Sequence, residues 1–162
     1  MSNKRRMARE AALQLLYLVE LGRPDEPRRA FQVYWEHDWR EEGECRLCPE
    51  ECRNRDTPKS RWSLAVNRLA EEVFTRQLVD GVLEHRAEID KEIENRSLNW
   101  KLHRMSAIDR NLLRLAVFEL LYCDDIPPKV SINEAIEIAK IYGDKNSPAF
   151  VNGILDKIKP SS

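Results

Sequence analysis

Ile108-Asp-Arg-Asn-Leu-Leu-Arg-Leu-Ala-Val-Phe-Glu-Leu-Leu-Tyr122 decides the fold. From Leu112 onward only Arg114 and Glu119 interrupt its apolar residues. The run is too long for an ordinary strand and holds no Gly or Pro, so it predicts a helix that is apolar on nearly every face. One stripe cannot bury such a helix, and other helices must wrap it. At its start, Ser106 followed by Asp109 resembles a capping box, with Asp shorter than the usual Glu or Gln. Asp124-Asp-Ile-Pro-Pro128 ends it, because proline removes an N–H and restrains the residue before it.

Working outward toward the carboxyl end, Ser131-Ile-Asn-Glu134 matches a capping box and predicts a second helix start. Ile132, Ala135, Ile136, Ala139 and Tyr142 share one face of that helix, and Gly143 stands where a left-handed cap is expected. Ser147-Pro148 reads as an N-cap followed by proline at the first helical position. Phe150, Val151, Ile154, Leu155 and Ile158 give the last helix its stripe. Three consecutive helices with short loops predict a packed helical core.

Toward the amino end, residues 62–85 and 87–94 restore helical periodicity, with Leu64, Leu69, Val73, Leu78, Val79, Val82, Ile89 and Ile93 as apolar content. Residues 97–102 read as a short helical turn with Trp100 as a core plug. Residues 4–21 predict a first helix, ended by Gly22 and Pro24, with Ala8, Ala11, Ala12, Leu15 and Val19 on one side. Leu16 and Leu18 broaden that side. Residues 28–39 predict another helix. Residues 41–60 differ: they are charged, poor in aliphatic side chains, and contain Gly43, Pro49 and Pro58. They read as a loop-like insertion within one domain spanning residues 1–162.

The 162-residue chain is large enough to bury a core without staples, and its 42% hydrophobic and 34% charged content suits a globular protein rather than a disordered one. A formal net charge of −1 does not advertise a nucleic-acid partner, but the distribution is uneven. Lys4, Arg5, Arg6 and Arg9 crowd the first turns of the first helix, where the helix dipole already carries positive charge. Cations there cost a few tenths of a kcal/mol each, roughly. A phosphate backbone would offset that repulsion; the alternative is a solvated basic terminus. No segment approaches membrane-span length, and Glu10, Gln14 and Glu20 interrupt the one stretch that imitates a signal peptide. A cytoplasmic location is expected.

Within the insertion, Cys45-Arg-Leu-Cys48-Pro-Glu-Glu-Cys52 places two thiolates within reach of one zinc ion, with Cys52 as a third ligand. His37 or Cys123 would be the fourth. The other reading is a loop that holds three free thiols. A zinc here would be structural, because no activated-water site accompanies it. No motif supports an enzyme: His37, His85 and His103 are scattered and none sits in a nucleophile constellation. Glu119, inside the apolar helix, predicts a buried ion pair with a partner on another helix rather than a general acid.

Arg5-Arg6-x-Ala8-Arg9-Glu10, Arg110-x-x-Leu113-Arg114-Leu-Ala116, Glu119-Leu-x-Tyr122 and Asp125-Ile-Pro127 together resemble the NusB family. So do Ile132-Asn-Glu-Ala135-Ile136-Glu137, Ala139-Lys140, Tyr142-Gly143 and Phe150-Val-Asn-Gly153-Ile-Leu-Asp-Lys157. The resemblance implies an all-α fold of two packed helical subdomains forming one domain, with no required cofactor. It also implies a transcription antitermination factor that binds boxA RNA of ribosomal RNA leaders together with the ribosomal protein NusE, within an antitermination complex on RNA polymerase.

By position, the resemblance assigns Lys4, Arg5, Arg6 and Arg9 to RNA, with Phe150, Lys129 and Ser147 as further RNA-side residues. Tyr17 and Asp109 match positions on the NusE-facing surface. For Tyr17 and Phe150 the apolar periodicity by itself favours helix core. Two departures stand out: Asn146 where members carry an acid, and Ala149 where they carry a base, so one phosphate contact is missing. Two rival readings stay open. One is a protein-interaction scaffold whose basic terminus touches no RNA. The other is a metal-binding regulator or catalyst centred on Cys45, Cys48 and Cys52.

Overall fold

The structure is a computed structural model that describes residues 3–22 and 69–158. The expected helix at 28–39, the insertion at 41–60 and the first part of the expected helix at 62–85 lie outside the described residues. Six α-helices are present among the described residues, and no strand: α1 (Asn3–Gly22), α2 (Leu69–Glu84), α3 (Arg86–Arg96), α4 (Ala107–Tyr122), α5 (Pro128–Tyr142) and α6 (Ser147–Leu155). A 3-10 turn, η1 (Leu102–Arg104), precedes α4. No described helix is long and apolar enough to cross a membrane. The chain divides into two compact units, Met1–Thr75 and Arg76–Ser162.

In the first unit, α1 buries Ala8, Ala11, Ala12, Leu15, Leu16 and Val19 as its periodicity predicts, together with Leu13. Small alanines at three of these positions leave room for close approach, and the polar Glu10 and Gln14 are buried with them. The first turns of α2 belong to this unit. There the Thr75 hydroxyl donates to the Ala8 carbonyl at 3.3 Å, satisfying a buried side-chain donor without leaving the unit.

The second unit is built around α4, whose residues 111–120 are all buried. Helices α3, α5 and α6 each pack on it, and α5 and α6 pack on one another. This is the wrapping that an all-round apolar helix requires. The expected cap forms: Ser106 Oγ accepts from the Asp109 N–H at 3.1 Å. Arg114, buried in the middle of this helix, is matched by Asp90 on α3 through two bonds of 2.7 and 3.0 Å, and it also donates to Asn111 Oδ1 at 3.2 Å. A buried guanidinium is tolerated because its carboxylate partner is paired in this fork geometry. Glu119 is also buried and accepts from the Ser131 hydroxyl of α5 at 2.7 Å. This partner comes from another helix, as expected, and it is a hydroxyl that Glu119 holds alongside its other contacts.

Three local expectations are corrected. First, α5 begins at Pro128, with Pro127 as the N-cap residue, so Ser131 lies inside the helix and serves Glu119 instead of capping. The buried face shifts accordingly to Ser131, Glu134, Ala135, Ile138 and Ala139, leaving Ile132, Ile136 and Tyr142 half-buried. Second, Gly143 is extended, at φ −84° and ψ −176°, not left-handed. A side chain there would overlap Ser147 and come within 2.8 Å of the Ala139 carbonyl, so glycine is needed for space rather than for backbone sign. Third, Trp100 is 51% exposed and plugs no core.

Candidate nucleic-acid interface

The basic start of α1 presents Lys4 and Arg5 to solvent, with Arg6 half-buried. Arg9 is different. It is only 2% exposed, and its guanidinium lies 5.5 Å from the centre of the Phe74 ring. Arg5 approaches the same ring at 5.3 Å. One turn of α1 thus stacks two guanidiniums against one aromatic face, a favourable contact that relieves part of the cost of crowding cations at a helix N-terminus. Arg5 remains accessible while it does so, whereas Arg9 is committed to packing. Tyr17 is half-buried further along the same helix.

In the second unit, the turn before α6 is organised by Asp144. Its Oδ1 accepts from the backbone N–H of Asn146 at 2.7 Å and of Ser147 at 3.1 Å. In return Ser147 Oγ accepts from the Asp144 N–H at 3.0 Å. This reciprocal pairing closes the turn ahead of α6, whose N-cap residue is Asn146 and not Ser147. Its signal was present in sequence as an acid three residues before a serine, next to a proline that opens the helix. Ser147 is buried as a consequence, with its hydroxyl occupied locally. Phe150, one turn on, is half-buried and meets Trp100 edge to face at 6.0 Å and 77°. Lys129 and Asn133 are exposed on α5.

Asp109, in the first turn of α4, is buried, and its Oδ1 makes no hydrogen bond among the described residues. A carboxylate oxygen left in this state is costly unless something completes it. On the other side of the unit, Tyr122 donates to Glu88 and stacks on His85 at 4.1 Å, while Phe118 lies 5.4 Å from Tyr122. The hydrogen bond from Tyr122 holds the Glu88 carboxyl below its ordinary range, and the same bond pushes the Tyr122 phenol up to about 12. Among the described residues no group of three His, Cys, Asp or Glu side chains is placed to hold a metal ion. Cys45, Cys48, Cys52 and His37 lie outside the described residues, and Cys123 is buried at the end of α4.

Comparison with known proteins places these features in a family. The model of the NusB family matches residues 6–160. The transcription antitermination protein NusB of Myxococcus xanthus (strain DK1622) is 44% identical over 154 residues, covering 95% of this chain and 93% of that protein. A structure of T. maritima NusB superposes with a TM-score of 0.71 at 33% identity, covering 99% of this chain and 96% of the other. A crystal structure of the antitermination factors NusB and NusE in complex with dsRNA contains a chain that matches with a TM-score of 0.70 at 25% identity, covering 96% of each.

Proposed function

The chain belongs to the NusB family, and from that membership we propose that it acts in transcription antitermination by binding boxA RNA of ribosomal RNA leaders jointly with NusE, as part of an RNA polymerase complex. The observation that carries this is the match, over nearly the whole chain, to a protein solved with both NusE and RNA. The activity is binding; the chain is not an enzyme. It takes place in the cytoplasm and needs no cofactor.

Two sets of residues are proposed for RNA. Lys4, Arg5 and Arg6 supply positive charge to phosphates, supported by the exposure of the first two. Phe150 and Lys129 supply an aromatic face and a further cation. Ser147 contributes by shaping the turn, consistent with its bond to Asp144. Arg9 contributes by holding α1 against Phe74. For NusE, Asp109 and Tyr17 are the proposed contacts. Asp109 Oδ1, which makes no hydrogen bond among the described residues, supports a donor arriving from that protein. A structural zinc on Cys45, Cys48 and Cys52 is supported by their spacing alone. About one zinc per purified chain would bear that reading out, and less than about a tenth would end it.

Fluorescence anisotropy with boxA RNA and a scrambled control tests the RNA reading. Binding should favour boxA. Changing Arg5 and Arg6 together to alanine should weaken it and flatten the dependence of log K on log salt by up to about 1.4, the share of two phosphate contacts on a single strand. Equal binding to the scrambled RNA, or an unchanged slope in the double variant, would favour a scaffold that holds NusE without reading RNA.

A further inference from the structure

We propose that Trp100 and Phe150 form an aromatic corner on which a base of single-stranded RNA stacks, with nearby cations holding the adjoining phosphates. The inference rests on the RNA-binding reading above and adds a contact that the reading does not contain. Trp100 is 51% exposed and Leu98, two residues before it, is 85% exposed, so two large apolar side chains of one short turn stand in solvent where an interaction surface would use them. The indole meets Phe150 edge to face, so one ring buttresses the other while an aromatic face stays open.

The indole is held on a fixed turn. Ser97 Oγ donates to the Trp100 carbonyl at 2.9 Å, and the Trp100 N–H donates to the Ser97 carbonyl at 3.2 Å. Arg110 then pins the following turn by donating to the carbonyls of Leu102 and Met105 at 3.2 and 2.9 Å. Ordering is therefore built in before a ligand arrives, which lowers the cost of binding.

Charge selects the occupant. Residues 95–105 contain no Asp or Glu, and Lys101 and Arg104 are exposed among them. Lys157, just beyond α6, reaches the Arg96 carbonyl at 3.5 Å and so brings one more cation to this region. Aromatic faces interleaved with cations suit a nucleic-acid strand, whose bases stack while its phosphates are neutralised.

The test titrates the full chain with a boxA-containing single-stranded RNA and compares Trp100→Ala, Trp100→Leu and Trp100→Phe. Loss of one stacked base should weaken binding about 10-fold in the alanine and leucine variants, while phenylalanine stays within about threefold of the unsubstituted chain. The salt slope should not change, because no phosphate contact is lost. One abasic position in the RNA should weaken binding to the unsubstituted chain but cost Trp100→Ala nothing further. The turn's bonds use backbone atoms and Ser97, so helical circular dichroism should persist; if alanine unfolds the chain, the leucine and phenylalanine pair decides. Unchanged affinity in the leucine variant overturns the proposal, as does a loss confined to NusE binding, which would give the surface to protein. Failure of the unsubstituted chain to bind any RNA would instead sink the reading beneath it.

Discussion

The Tyr122 hydroxyl on α4 donates to Glu88 Oε2 on α3 at 2.5 Å, and one bond shifts two groups in opposite directions. The carboxylate is favoured as acceptor, so Glu88 gives up its proton more readily. The phenol is favoured as donor, so Tyr122 keeps its proton longer. The signs follow from linkage. Because the folded phenol lies above its ordinary value near 10, its contribution is fully present below that pH and fades as pH rises through about 12. Because the Glu88 carboxyl is lowered, its contribution is present above its ordinary value of 4.5 and disappears as pH falls through the lowered one. An ultraviolet tyrosinate titration, assigned by difference against Tyr122→Phe, should therefore find Tyr122 ionising near 12. Glu88→Gln should bring it back toward its ordinary range. A Tyr122 titration near 10 in the unsubstituted chain would remove the hydrogen bond from the account.

At the scale of elements, α4 imposes its shape on its neighbours, and Gly81 of α2 records this. A methyl added at Gly81 would fall on the ring of Phe118. Replacing helical glycine by alanine ordinarily gains about 1 kcal/mol in propensity. Overpacking a tight contact costs about 1–3 kcal/mol, and here it should win. Gly81→Ala is expected to lower stability by up to about 2 kcal/mol in chemical denaturation, and Phe118→Leu in the same chain should recover part of that loss. A stabilised Gly81→Ala chain would mean that the ring moves aside freely. The helices themselves were legible because periodicity and punctuation agreed, most plainly at Ser106 and through the apolar run of α4. The capping boxes were less so. Ser131 and Ser147 both fit a start signal, yet one serves Glu119 across a helix pair and the other answers Asp144. A hydroxyl has several possible partners, and which it meets depends on tertiary neighbours that spacing does not encode. Trp100 misled for a related reason, since size argues for burial while only its surroundings reveal an open face. Among the candidate RNA residues, Lys4 and Arg5 are exposed as a phosphate contact requires, but nothing in the charge pattern separated them from Arg9, which the Phe74 ring captures.

For the whole molecule, a net charge of −1 means that long-range attraction to a polyanion is weak, so RNA affinity must come from local clusters. Such an arrangement makes a partner protein consequential. A basic ribosomal protein seated on the chain would extend the positive surface, and each ligand would raise the affinity of the other by the same factor. Anisotropy titrations should accordingly show boxA RNA binding more tightly, by about 5- to 150-fold, when NusE is present at saturation. NusE should bind more tightly by an equal factor when RNA is present. Every residue proposed here for RNA or NusE lies outside residues 41–60. A chain lacking that segment should therefore keep both affinities and their coupling while losing any zinc. If the shortened chain stays helical but the coupling vanishes, the cysteine-bearing segment is part of the contact surface, and the assignment of binding to the family-matching helices alone is wrong.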